Sequence, residues 1–182
     1  MEVYLVRHGE AAAQWGQSAD PGLSELGRQQ AASAACELQS CLAPDVQLCS
    51  SPLARAQETA APLAAALNKP LRIDPAYREI PAPVPLAQRK AWLRQAMTET
   101  WSEQSGELLS WRQELLQAVV ALSSPTVIYT HFLVINAVVG SLQQRDDILC
   151  FWPDNASVTR LELAQGELAL VQLGRELDTV VN

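Results

Sequence analysis

Four short runs of apolar and β-branched residues alternate in this chain with segments of helical length, and this alternation constrains the fold more than any other feature. The runs cover residues 2–6, 46–49, 71–73 and 126–130. The first and fourth, nearly continuous in apolar or β-branched residues, read as buried strands, and the second and third as short strands. A helix between successive strands makes a sheet mostly parallel and covers both its faces. Residues 158–163 and 168–173, with Gly166 between them, read instead as an antiparallel hairpin. The expected fold is therefore α/β: a three-layer sandwich with a mostly parallel central sheet, helices on both faces and a late antiparallel hairpin.

The connecting segments carry helix signals. Ser24 is a good N-cap, Glu25 suits the first turn, and Leu26, Ala31, Ala34, Leu38 and Leu42 roughly follow helical spacing until Pro44. Ser51 before Pro52 reads as a capping hydroxyl followed by Pro at the first helical position, opening a helix that ends near residue 67. Residues 86–122 read as mostly helical. Trp92, Leu93, Met97 and Trp101 recur at helical spacing, and Ser105-Gly106 breaks the run. Residues 132–142 form a further helix. The 182 residues suffice for one domain spanning 1–182, with a helical insert at about 80–122 that shapes a pocket.

Chemistry-bearing residues gather at the strand ends. The first run stops at Arg7-His8-Gly9-Glu10, and the fourth stops at His131, the only other histidine. In open α/β sheets ligands collect at the carboxyl ends of strands. Arg55 lies near a helix start, on one face with Thr59, and a helix N-terminus with an Arg fork favours phosphate. For Arg55 the plain alternative is a solvated charge. For Glu79 it is a surface pair with Arg78. Arg89, Lys90 and Arg94 either form a solvated face or cap the pocket and meet a ligand's far end.

Composition narrows the class. A net charge of −7 and a pI near 4.8 argue against a nucleic-acid partner, so an anionic ligand needs a local positive pocket. No apolar run has the length of a membrane span, and no basic start with a cleavage site opens the chain, so a cytoplasmic location is expected. Cys36, Cys41, Cys49 and Cys150 lack zinc-type spacing. No HExxH or Asp-rich pattern appears, and no Gly-x-Ser-x-Gly elbow. No metal or cofactor is expected. The oligomeric state stays open, with a homodimer as one option.

Several segments, taken in order, carry a family resemblance. They are Val6-Arg7-His8-Gly9-Glu10, Leu23-Ser24-Glu25-Leu26-Gly27-Arg28-Gln29-Gln30-Ala31 and Ser51-Pro52-Leu53-Ala54-Arg55-Ala56-Gln57-Glu58-Thr59-Ala60. Glu79, His131 and the late Asn155-Ala156-Ser157-Val158-Thr159 follow. The set resembles the histidine phosphatase superfamily, also called the phosphoglycerate-mutase-like family. The resemblance implies that His8 is the nucleophile and becomes phosphohistidine. It implies that Arg7, Arg55 and His131 surround the phosphoryl group, and that Glu79 protonates the leaving oxygen. The chain departs from the pattern twice: Phe132 follows His131 where the family has Gly, and Pro81-Ala82-Pro83-Val84-Pro85 replaces Gly-x-Trp-Glu-Gly. The implied activity is metal-independent hydrolysis of a small metabolite's phosphomonoester. The compact length resembles the phosphatases more than the longer mutases. Two alternatives stand beside it: a phosphohistidine protein phosphatase, and a catalytically weak phosphate-ligand-binding or scaffold protein of the same fold.

Overall fold

The computed structural model describes residues 1–13 and 18–177. Six strands form one sheet: β1 (Glu2–Arg7), β2 (Gln47–Ser50), β3 (Leu71–Ile73), β4 (Thr126–Thr130), β5 (Val158–Ala164) and β6 (Glu167–Gln172). Their order is β3-β2-β4-β1-β5-β6. β1, β2, β3 and β4 pair in parallel, while β5 pairs antiparallel with β1 and β6. The helices are α1 (Glu25–Gln39), α2 (Ala54–Leu67), α3 (Arg89–Ala96), α4 (Gly106–Val120) and α5 (Phe132–Leu142). The expected α/β architecture holds, including the late hairpin. That hairpin turns at Gln165-Gly166, both at positive φ (55° and 81°), as a two-residue turn compatible with strand twist requires.

Alternation along the central strands builds two cores. Val3 and Leu5 face one side with Ile128, Trp101, Leu115 and the apolar body of α5. Tyr4 and Val6 face the other with Leu48, Val127 and the inner faces of α1 and α2. All five residues of β4 are buried, which explains why its sequence is nearly continuous in apolar and β-branched residues. Among the described residues, no helix is long and apolar enough to cross a membrane.

Three local expectations need correction. α1 stops at Gln39, short of Leu42, and Leu26 lies half-exposed at 49% on its outer side. Ser24 does cap this helix, its hydroxyl accepting from Gly27 N at 3.0 Å. Residues 86–122 are less helical than their periodicity suggests: α3 ends at Ala96, and Trp101 starts a tight turn of three residues. Its backbone N–H donates to the Asp146 carbonyl at 2.7 Å, and its ring stacks on Trp111 at 6.2 Å. Tertiary packing of the Trp pair thus overrides continuation of the helix.

Candidate active site

The first strand delivers Arg7 and His8 to the carboxyl edge of the sheet. His8 keeps strand pairing through its N–H to the Thr130 carbonyl at 2.9 Å. Its Nδ1 lies 2.7 Å from the Gly9 carbonyl oxygen, and Arg55 Nε donates to its Nε2 at 3.1 Å. A carbonyl only accepts and a guanidinium only donates. The partners therefore assign the proton to Nδ1 and leave a lone pair on Nε2. Burial, then the nearby Arg55 and Arg7 charges, hold the His8 imidazole well below its ordinary pKa. It is neutral at pH 7.

Arg55 bridges the two histidines. A terminal nitrogen of its guanidinium lies 3.3 Å from His131 Nδ1, and the rings of His8 and His131 are 5.3 Å apart. His131 Nε2 donates to Ser51 Oγ at 2.7 Å. His131 is fully buried behind Arg55 and is absent from the cavity wall. Ser51 is not a helix cap, contrary to its reading from sequence. α2 begins three residues later, with Leu53 as its uncapped N-cap, and the Ser51 hydroxyl serves mainly His131.

Arg7 crosses the Phe132 ring at 5.1 Å and donates through Nη1 to the Pro153 carbonyl at 2.7 Å. Phe132, the residue standing where the family has Gly, tilts against Trp152 at 5.4 Å and does not line the cavity. Its ring therefore supports Arg7 and leaves the site unobstructed. Glu79 is buried, 7% exposed, and accepts from the Ile80 N–H at 3.1 Å. The surface pair with Arg78 does not form among the described residues. Burial pushes the Glu79 carboxyl above its ordinary pKa, against the pull of Arg55, Arg89 and Arg7.

These side chains meet at a cavity of about 680 Å³, whose wall includes Arg7, His8, Arg55, Glu79, Arg89 and Asn155. Lys90 also lines it, whereas Arg94 is exposed and stands away from it. Among the described residues, no group of three or more His, Cys, Asp or Glu side chains is placed to hold a metal ion.

The motif residues without chemistry of their own hold the loop after β1. Gly9 N donates to Thr59 Oγ1 at 3.0 Å, and that hydroxyl donates to the Arg55 carbonyl at 2.6 Å. Glu10 N donates to Gln30 Oε1 at 2.8 Å, and Leu23 N to Glu58 Oε2 at 2.7 Å. A Cβ on Gly9 would meet the Gly27 carbonyl oxygen at 2.5 Å; one on Gly27 would meet that of Glu10 at 2.1 Å. The second motif therefore needs Gly27 so that α1 can press against the loop after β1. Sequence reasoning missed these roles. The signal was Thr59, Gln30 and Gly27 lying inside motifs without an assigned task. The loop of residues 153–157 was also missed as a contributor. Its Ser157 carbonyl accepts from Arg7 N at 3.1 Å and its Ala156 N–H donates to the His8 carbonyl at 3.3 Å.

An α/β sandwich carrying a neutral imidazole, buried guanidinium groups and a buried carboxyl at its strand ends has the equipment of a phosphoryl-transfer protein. The chain belongs to the histidine phosphatase superfamily, branch 1, whose model matches residues 3–176. A mycobacterial glucosyl-3-phosphoglycerate phosphatase solved with vanadate is similar at 25% identity and TM-score 0.75, covering 96% of this chain and 99% of its own. Two structures share the fold at 19% identity. One is a phosphoserine phosphatase from Entamoeba histolytica with 3-phosphoglyceric acid (TM-score 0.72, 96% of each chain). The other is a putative alpha-ribazole-5'-P phosphatase from Escherichia coli (TM-score 0.73, 99% of this chain and 98% of that one). No curated protein was found to match the chain.

Proposed function

We propose that this protein is a metal-independent phosphatase that hydrolyses a small metabolite's phosphomonoester through a phosphohistidine on His8. The observation that carries the reading is the His8 tautomer. Nδ1–H is spent on the Gly9 carbonyl, so the lone pair on Nε2 points toward Arg55 beside the cavity. Nε2 attacks phosphorus, the ester P–O bond breaks, and Glu79 gives its proton to the departing oxygen. Water then attacks the phosphohistidine, Glu79 takes a proton from it, and orthophosphate leaves with His8 restored. Arg7 and Arg55 stabilise the charge on the equatorial oxygens.

In the unliganded site Arg55 Nε occupies the lone pair that must attack. A guanidinium binds a phosphate dianion more strongly than a neutral imidazole. Substrate therefore draws Arg55 off His8 and His131 and onto its oxygens, freeing Nε2 and uncovering His131 as a further phosphate ligand. The buried Glu79 acid favours alkyl esters, whose leaving oxygen needs a proton, over phosphohistidine protein. The similarity to phosphatases of small phosphorylated metabolites supports the same choice.

The test is hydrolysis of an aryl phosphate by the wild type and His8→Ala, in chelator. Activity in the wild type with loss in the variant, and trapping of an acid-labile phosphoprotein after a rapid quench, are expected. Equal rates in the two proteins refute the role of His8. Loss of activity in chelator refutes metal independence.

A further inference from the structure

Asn136 is a fully buried polar side chain in the middle of α5, a helix buried without a break from Phe132 to Gly140. Its carboxamide bonds backbone on two elements. Nδ2 donates to the Phe132 carbonyl at 3.0 Å, and Oδ1 accepts from the N–H groups of Cys150 at 2.7 Å and Phe151 at 3.0 Å. A carbonyl only accepts and an N–H only donates, so these partners fix which end of the amide is which. An apolar residue would anchor α5 in the core without any of these bonds. What the carboxamide adds is a fixed placement of the first turn of α5 against the loop that starts at Cys150.

The two pieces it joins are the two that hold the side chain of Arg7. Phe132 opens that turn and puts its ring 5.1 Å from the guanidinium. Pro153, two residues past Phe151, accepts from Arg7 Nη1 at 2.7 Å. Trp152, between them, tilts against Phe132 at 5.4 Å. Elsewhere Arg7 is lightly held. Its Nε is buried without a partner, and among the described residues no carboxylate lies within ion-pair distance of it. The guanidinium therefore goes where the Phe132 ring and the Pro153 carbonyl put it. Its fork grips phosphate in a fixed geometry, so a shift of ring against carbonyl misaims it.

We infer that Asn136 is a positioning residue for Arg7. By tying the Phe132 turn to the loop of residues 150–153, it sets how the guanidinium faces the cavity. Asn136 itself is absent from the cavity wall. The inference rests on the reading of Arg7 as a ligand of the phosphoryl group, and it is tested without turnover.

The experiment measures equilibrium binding of orthovanadate, as a phosphoryl mimic, to wild type, Asn136→Asp, Phe132→Leu and Asn136→Asp/Phe132→Leu. Asp keeps the size of the side chain and an acceptor for both loop N–H groups, and it removes the NH2 that holds the Phe132 carbonyl. Each single variant is expected to weaken binding by about twofold to thirtyfold, the worth of one aromatic contact with a guanidinium. Two residues that act through the same guanidinium give non-additive losses. The double variant should therefore lose clearly less than the product of the two single losses. A residue that only holds the fold together gives losses that multiply. Multiplying losses, full binding by either single variant, or no binding by the wild type overturns the inference. Asn136→Ser replaces Asp in the same cycle if circular dichroism shows the Asp variant unfolded. Unfolding of both assigns Asn136 to the fold alone and also overturns the inference. Failure of the phosphatase reading shows separately, as absence of aryl phosphate hydrolysis by the wild type.

Discussion

At the scale of single residues, the proposed chemistry turns on two groups whose proton affinities are displaced in opposite directions. Burial lowers the pKa of His8 below its ordinary value of 6.5 and raises that of Glu79 above its ordinary 4.5. The proposed nucleophilic role needs His8 unprotonated, so activity should fall as pH drops through the lowered His8 value. The acid needs Glu79 protonated, so activity falls again as pH rises through the raised Glu79 value. Initial rates on an alkyl phosphate are expected to trace a bell whose acid limb belongs to His8 and whose alkaline limb belongs to Glu79. Glu79→Gln should remove the alkaline limb and cost about 10²- to 10⁴-fold on the alkyl ester. It should cost much less on an aryl ester, whose leaving group departs as an anion. An unchanged alkaline limb in Glu79→Gln would assign that limb to another group. Phe132 makes a second prediction. Replacing its ring by Leu keeps an apolar side chain and removes the face under Arg7, a contact worth about 0.5–2 kcal/mol. The expected loss in kcat/KM is about twofold to thirtyfold, with thermal stability nearly kept. That Arg7, His8, Arg55 and His131 gather in one place was legible in the sequence, because each lies at a strand end or near a helix start and these converge on the carboxyl edge of the sheet. The burial of Glu79 was not legible, since it depends on how residues 78–80 fold back on β4 through the Thr130–Tyr77 hydrogen bond of 2.7 Å. The duty of Ser51 depends on a histidine eighty residues away.

Among the elements, the contact between α1 and the loop after β1 ties stability to geometry at the site. Gly27 lies inside α1, where Ala would ordinarily stabilise the helix by about 1 kcal/mol. Here its Cβ would sit 2.1 Å from the Glu10 carbonyl oxygen, so α1 or the loop must move. Gly27→Ala is therefore expected to lower both the melting temperature and kcat, with circular dichroism and aryl phosphate hydrolysis as the readouts. A gain in stability with full activity would show that the loop yields at no cost. The helices and strands themselves were legible to within a few residues, because the central strands β1 and β4 are almost continuously apolar or β-branched and caps such as Ser24 are local. Residues 86–122 were read less well. The periodicity of Trp92, Leu93, Met97 and Trp101 matches one long helix, but the Trp101–Trp111 stack and the bond from Trp101 N to Asp146 are long-range and break it. The exposure of Leu26 has the same origin, because which side of α1 is covered is decided by α2 and the loop after β1.

For the whole molecule, the site draws on most of the sheet. Arg7 and His8 leave β1, His131 leaves β4, Ser51 and Arg55 follow β2, and Glu79 follows β3. β4 lies between β2 and β1, and both cores press on it from opposite faces. Bringing these groups together is therefore the same event as folding the sheet, and an unfolded chain holds no phosphate site. A ligand that binds only the native state adds stability by mass action, about 2.7 kcal/mol at a hundred times its dissociation constant. For a chain of 150–250 residues, 1 kcal/mol raises the melting temperature by about 2–4 °C, so orthophosphate at that excess should raise it by about 5–10 °C. Arg55 is the residue on which the response should depend. It contacts both histidines and brings a buried positive charge to the cavity wall. Arg55→Met should keep the side chain's apolar length inside the fold and lose most of the phosphate-induced shift, measured by scanning calorimetry at constant ionic strength. Sodium chloride should produce no such shift, because chloride lacks the oxygens that a guanidinium fork grips. An equal shift in wild type and Arg55→Met would mean that phosphate stabilises the protein from somewhere other than this cavity, and the charge argument for the site would lose its foundation.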